Sequence, residues 1–132
     1  YRIEVDPAVD TRRVHLPAMM LQPYVENSIW HGILPMDRPG SVTIRVRPGT
    51  DGHVEVWIED DGVGLESSRR DKGRQGGDHI SRGIELTKGR ADVLRRLAIS
   101  DIHITGPQQR VDGPGTSVVV ALPTDPAAGK VQ

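Results

Sequence analysis

The feature that most constrains this chain is a strict two-residue alternation that recurs in separate segments. Between residues 42 and 47, Val42, Ile44 and Val46 oppose Thr43, Arg45 and Arg47; between 54 and 59, Val54, Val56 and Ile58 oppose Glu55, Trp57 and Glu59. Residues 1–6 repeat the pattern, with Ile3 and Val5 against Arg2, Glu4 and Asp6. Successive side chains of a strand point to opposite faces, so each apolar set lies on one face of a half-buried strand. Ile102 and Ile104 mark a fourth strand, and residues 117–122 a more apolar fifth. RPGTDG, between the second and third strands, has hairpin-turn chemistry. A sheet so consistently apolar on one side is mostly antiparallel and covered on one face.

The cover must come from helices, and two segments offer it. In LQPYVENSIWHGI, residues 21–33, Leu21, Val25, Ile29 and Gly32 follow four- and three-residue steps and form one stripe, with the helix starting near Pro23. A second helix is predicted over about 84–97, with Leu86, Val93, Leu94 and Leu97 as its apolar side. Between the third strand and this helix, residues 67–83 (SSRRDKGRQGGDHISRG) hold four glycines and almost nothing apolar. That composition predicts a mobile loop, and its length predicts a functional one. Residues 1–123 then form one domain and residues 124–132 a disordered tail, in keeping with a 132-residue chain.

Composition removes several function classes. Seventeen basic and 18 acidic residues leave a net charge of −1 and no general argument for nucleic acid as a partner. The absence of cysteine excludes disulfides and thiolate metal sites. The longest apolar run, SVVVALP, is far short of the roughly 20 residues that span a bilayer. The chain opens at YRIEV without methionine and reads as a piece of something longer.

Chemistry concentrates at four places. EDDGVGL, residues 59–65, puts Asp60 at a strand end, where its carboxylate could accept a hydrogen bond from an exocyclic amine such as that of adenine. Gly62 and Gly64, lacking Cβ, would let backbone approach a flat ring; the plain alternative is a strand ending in a glycine turn. SRGIEL, residues 81–86, puts Gly83 where the loop enters a helix, and helix N-termini bind phosphate through free N–H groups. GPGTSVVVALP, residues 113–123, puts Gly115 and Thr116 just ahead of the last strand. In the first helix, Glu26, Asn27 and His31 lie within six consecutive positions, and Asn27 and His31 are one turn apart, so their side chains can converge on one ligand. His15, His53, His79 and His103 are scattered without metal-ligand spacing and read as surface histidines. Arg69, Arg70, Lys72 and Arg74 serve equally as phosphate-facing lid charges or as solvated charges.

In this order the segments resemble the catalytic and ATP-binding domain of sensor histidine kinases, within the GHKL superfamily. LPAMMLQPYVENSIWHGI is similar to the asparagine-containing box of the LytS/YehU type, close to P-x-x-L-Q-P-L-V-E-N-A-x-K-H-G. The resemblance covers about residues 1–123 and implies an α/β two-layer sandwich of the Bergerat type, with a mixed, mainly antiparallel sheet and helices on one face. It implies ATP and Mg²⁺ as cofactors, with Asn27 holding the metal and His31 contacting phosphate or ribose. Glu26 becomes the acidic neighbour that polarises the incoming nucleophile. Asp60 becomes the adenine reader, Gly62 and Gly64 shape its pocket, Gly83 opens the second glycine box, and Thr116 supports the adenine end.

The chain departs from that pattern in two places. Trp30 stands where the asparagine box commonly has a basic residue, and GIELTK replaces G-x-G-L-x-N, with Glu85 and Lys88 in place of glycine and asparagine. Lys88, with Arg82, Arg74 and Lys72, could supply phosphate charge instead. The implied reaction is γ-phosphoryl transfer to a histidine on an upstream dimerisation domain outside this chain. The implied partners are that domain and a response regulator, in a homodimeric protein of the inner membrane whose catalytic part is cytoplasmic. A degenerate nucleotide-binding module, or another GHKL ATPase or protein serine kinase, is the alternative.

Overall fold

A computed structural model describes residues 1–17, 19–71, 85–86, 88–89, 92–93 and 101–124. The alternating segments become β1 (Arg2–Val5), β2 (Val42–Pro48), β3 (His53–Asp60), β4 (His103–Gln109) and β5 (Thr116–Pro123). They form a single five-stranded sheet in the order β1-β2-β3-β5-β4. β1 runs parallel to β2 and every other pairing is antiparallel. The expected mixed, mainly antiparallel sheet is therefore the one observed. β3 and β5 lie at its centre, and their residues alternate buried and half-buried along their whole length.

The hairpin between β2 and β3 closes through Gly49, whose N–H donates to the His53 carbonyl at 3.0 Å, and through the His53 N–H to Thr50 at 2.9 Å. Asp51 and Gly52 take φ of 52° and 75°, a left-handed pair that turns such a ribbon. At the other edge, β4 slips register between Thr105 and Gln108. Gly106 sits in the slip at φ 110°, where a Cβ would lie 2.7 Å from the Ser117 carbonyl.

One face of the sheet is covered, and Val42, Val56, Ile58, Ile102, Val118, Val120 and Leu122 form the core there with Met20 and Tyr24. Helix α1 (Gln22–Asn27) is succeeded directly by a π-helical segment, Ser28–Ile33, with the Leu34 N–H donating to Ile29 at 2.9 Å, five residues back. The buried row is therefore Tyr24, Ser28 and Gly32, and Ile29 is 40% exposed. Of the expected stripe, Leu21 and Val25 pack half-buried against the core and Gly32 is buried, while Ile29 turns outward where the chain widens into the π-helical turn. Helix α2 (Gly64–Asp71) occupies the start of the segment read as a loop, with Glu66 complementing the helix dipole in its first turn. Residues 72–83 of that segment lie outside the described residues, as does nearly all of the 124–132 tail. Glu85, Leu86, Lys88, Gly89, Asp92 and Val93 have helical backbone, as predicted for 84–97, although Leu86 and Val93 are exposed.

Candidate functional site

β3 carries Asp60 to the core side of the sheet, because Val54, Val56, Ile58 and Asp60 share one face. The residue is only 1% exposed, so its carboxylate needs hydrogen-bond donors in place of water. Three are supplied. Oδ1 accepts from the Gly62 N–H at 2.9 Å and the Thr116 N–H at 3.2 Å, and Oδ2 accepts from the Thr116 hydroxyl at 2.5 Å. An ionised carboxylate has about four acceptor directions. The donors among the described residues leave one of these, on Oδ2.

The glycines around this carboxylate have different duties. A Cβ on Gly62 would overlap the Gly32 backbone, and the Val63 N–H donates to the Gly32 carbonyl at 3.0 Å. The π-helical segment is thereby held directly against the turn that follows β3. A Cβ on Gly32 would stand 2.9 Å from Asp60 Oδ1. Gly115, at φ 98°, is the tightest position: a Cβ there would lie 2.7 Å from the Asp60 carbonyl carbon and overlap its oxygen. Gly64, at φ 82°, starts α2 beside Gln109, whose Oε1 accepts from the Leu65 N–H at 3.2 Å. The clearance the sequence suggested for a ligand at Gly62 and Gly64 is thus used by the chain itself, for backbone contact and for positive φ.

Neighbouring groups brace the corner. Asp61 accepts from the Ser41 N–H at 2.7 Å, and Arg38 bonds its carbonyl at 2.9 Å. The Ser41 N–H, aided by the Arg38 guanidinium, holds the Asp61 carboxyl below the ordinary carboxylate range. Arg110 reaches the Asp60 carbonyl at 3.4 Å.

Asp60, Gly62 and Thr116 are brought together by direct bonds, and Gly64 follows in the same turn. Asn27 closes α1 and His31 lies in the π-helical segment, one residue before the Gly32 that touches Asp60; both are half-buried. Glu26 is engaged sideways, its Oε1 accepting from Gln22 Nε2 at 2.7 Å. Lys88 is exposed on helical backbone and is not among the described residues gathered around Asp60, and Gly83 lies outside the described residues. Gly32, Gln109 and Arg110 belong to the corner without having been singled out as site residues. Gly32 was legible as a glycine on a helix face, whereas Gln109 and Arg110 had no signal in sequence. Among the described residues no helix is long and apolar enough to cross a membrane.

No protein-family model matches the chain, and no curated protein does. Solved structures do. The histidine kinase domain of the Erythrobacter litoralis EL346 blue-light activated histidine kinase superposes with a TM-score of 0.52 at 22% identity, covering 93% of this chain and 50% of that one. The catalytic domain of the histidine kinase ThkA, in a nucleotide-free form, gives 0.53 at 15% identity over 96% of this chain and 79% of that one. The mycobacterial sensor histidine kinase MprB gives 0.50 at 16% identity over 82% and 70%. The chain spans half of the first of these relatives. At these identities the likeness is one of fold: five strands, mostly antiparallel, with helices on one face, arranged as in histidine kinase catalytic domains.

Proposed function

We propose that this chain is the ATP-binding catalytic domain of a sensor histidine kinase of the LytS/YehU type. It passes the γ-phosphoryl group of ATP to a histidine on an upstream dimerisation domain, within a homodimer whose membrane-bound form signals to a response regulator. The observation that carries the reading is Asp60. A carboxylate buried at a strand end, held by three donors among the described residues and keeping one acceptor direction with respect to them, suits a single exocyclic amine of a planar base. Through Gly32 it abuts the segment that carries His31 and, one turn earlier, Asn27, where a triphosphate extending from that base would pass.

Mg²⁺ fits the donors present. The Asn27 side-chain amide offers a hard oxygen at a half-buried helix position, and this ion takes one or two protein oxygens while retaining water. When bound it neutralises phosphate charge. The chain's own residues hold the base, orient the phosphates and fix the amide that faces the metal; phosphoryl transfer needs such positioning more than covalent participation by the protein. Nucleotide binding without transfer is the second reading, favoured by Trp30, 58% exposed where the resembled box has a basic residue. Calorimetry with adenosine, ADP and ATP, with and without magnesium, tests the proposal. All three are expected to bind, and magnesium to strengthen only the phosphorylated pair. A folded chain that binds none of them overturns it. Addition of the cognate acceptor domain then separates the two readings by appearance of acid-labile phosphohistidine.

A further inference from the structure

We propose that His53, Asp101 and His103 form a site for a divalent transition-metal ion of the zinc, nickel or copper kind, at the end of the sheet opposite Asp60. His53 opens β3 and Asp60 closes it, seven residues on, a separation of roughly 23 Å along the strand. The three residues lie on the uncovered face: His53 alternates with the buried Val54, and His103 pairs directly with Ala121, which alternates with the buried Val120 and Leu122. Between them on β5 stand Ala121 and Pro123, the register partners of His103 and His53. Over these small residues the imidazole rings approach to 6.0 Å between centroids.

One ligand atom from each of the three residues falls within 4.8 Å of the other two. His103 Nε2 is 2.7 Å from Asp101 Oδ1, and His53 Nε2 is 3.3 Å from Asp101 Oδ2. A tetrahedral ion with bonds of about 2.0–2.2 Å spaces its ligands about 3.3–3.6 Å apart. Adjustments within the reach of side-chain torsions therefore close the set. His53 is also oriented from behind: Nδ1 lies 3.2 Å from the Asp51 carbonyl, to which an N–H there donates. In the tautomer that carries its proton on Nδ1, Nε2 is the metal-binding lone pair, on the side of Asp101 Oδ2 and of the Asp101 carbonyl oxygen, the latter at 3.3 Å. Donation of the far ring nitrogen to a carbonyl is the habitual support of a metal-bound histidine. Two imidazoles and one carboxylate select borderline first-row ions over Mg²⁺ or Ca²⁺, and leave a fourth position for water. The bound ion would tie the starts of β3 and β4, which are not neighbours in the sheet.

Zinc chloride titrated calorimetrically into the tag-free chain is the test, with magnesium chloride as comparator. One equivalent of Zn²⁺ is expected to bind with micromolar affinity, while Mg²⁺ gives no heat at this site. Loss of a supporting bond alone costs about 10–100-fold in metal affinity, so His53→Gln and His103→Gln should each cost more than about tenfold. His15→Gln, at an exposed histidine outside both sites, should leave zinc binding unchanged. Cobalt(II) should show visible bands that the His103→Gln variant lacks. Should His53→Gln fail to fold, the exposed His103 still decides. If zinc binds equally well to His103→Gln, or if the unaltered chain takes none at micromolar concentration, the two imidazoles share Asp101 through protons alone and the proposal is overturned.

Discussion

The two ends of β3 solve one problem in opposite ways. Each gathers a carboxylate and partners remote in sequence: Asp60 meets Thr116 across 56 residues, and His53 meets Asp101 across 48. At the Asp60 end the partners are two backbone N–H groups and one hydroxyl, fixed by the turn after β3 and by the first residue of β5, with the carboxylate out of water. At the His53 end the Asp101 side chain is 60% exposed, and its partners are imidazoles on rotatable bonds. A constellation held by backbone is preorganised for one ligand geometry. One held by exposed side chains adapts to a guest and costs little to rearrange.

The largest expected effect would break the first half of that contrast. Gly115→Ala forces a methyl group into the Asp60 carbonyl at a φ of 98°, so it should destabilise the fold by about 3 kcal/mol or more in urea unfolding. A loss below about 1 kcal/mol would show that the corner yields, against the rigidity argued for it. Next comes ligand binding. Asp60→Asn should weaken adenosine, ADP and ATP alike, by roughly 10- to 150-fold for a charge-assisted bond of about 1.5–3 kcal/mol. Asn27→Ala should leave adenosine untouched and remove most of the gain from magnesium; equal weakening of adenosine by both variants would undo the division of roles.

Tyr24 sharpens the contrast inside the core, being wholly buried with a hydroxyl that has no hydrogen-bond partner among the described residues. Burial pushes its phenol up to about 12 from 10.0. Below pH 10 neither state ionises and stability is complete. Between about 10 and 12 the unfolded chain ionises this group ahead of the folded one, so stability falls as pH rises, by about 3 kcal/mol in all. Tyr24→Phe should lack this alkaline loss and match or exceed the original stability at neutral pH, since it removes a buried hydroxyl without a partner. An alkaline profile unchanged by the substitution would show the hydroxyl is solvated. The smallest effect belongs to the uncovered face, where the Arg47 guanidinium lies 4.0 Å from the Trp57 ring centroid. Arg47→Ala should cost about 0.5–1 kcal/mol. A larger loss would mean that this face carries structure of its own.

All five strands were legible because period two is short and survives in brief segments, and the hairpin because RPGTDG can do little else. The helix face was legible at Leu21, Val25 and Gly32 and departed from expectation at Ile29, for a definite reason. Periodicity of 3.6 residues was assumed where the chain widens into a π-helical turn, which exposes Ile29 and buries Ser28. The resemblance assigned Asp60 and Thr116 to one adenine end without pairing them; nothing in spacing alone brings residues 60 and 116 together. The histidines show the limit most plainly. His53 and His103 looked scattered, and they meet because β5 enters the sheet between β3 and β4, an order that no local pattern encodes. Helix α2 was missed because a charged, serine-containing segment resembles a loop until its first turn is seen anchored on Gln109.

The contact between Gly32 and Gly62 ties two parts of the chain into one unit of inheritance. No side chain separates these backbones, so neither position can drift to a larger residue while the other stays in place. A chimera that exchanged the 21–33 segment between related proteins would have to bring the 60–64 turn with it, or the incoming helix would stand off the sheet. The smallest transferable module of this site is therefore a discontinuous pair of segments, and recombination that cuts between them would separate this backbone-to-backbone contact from the residues that make it possible.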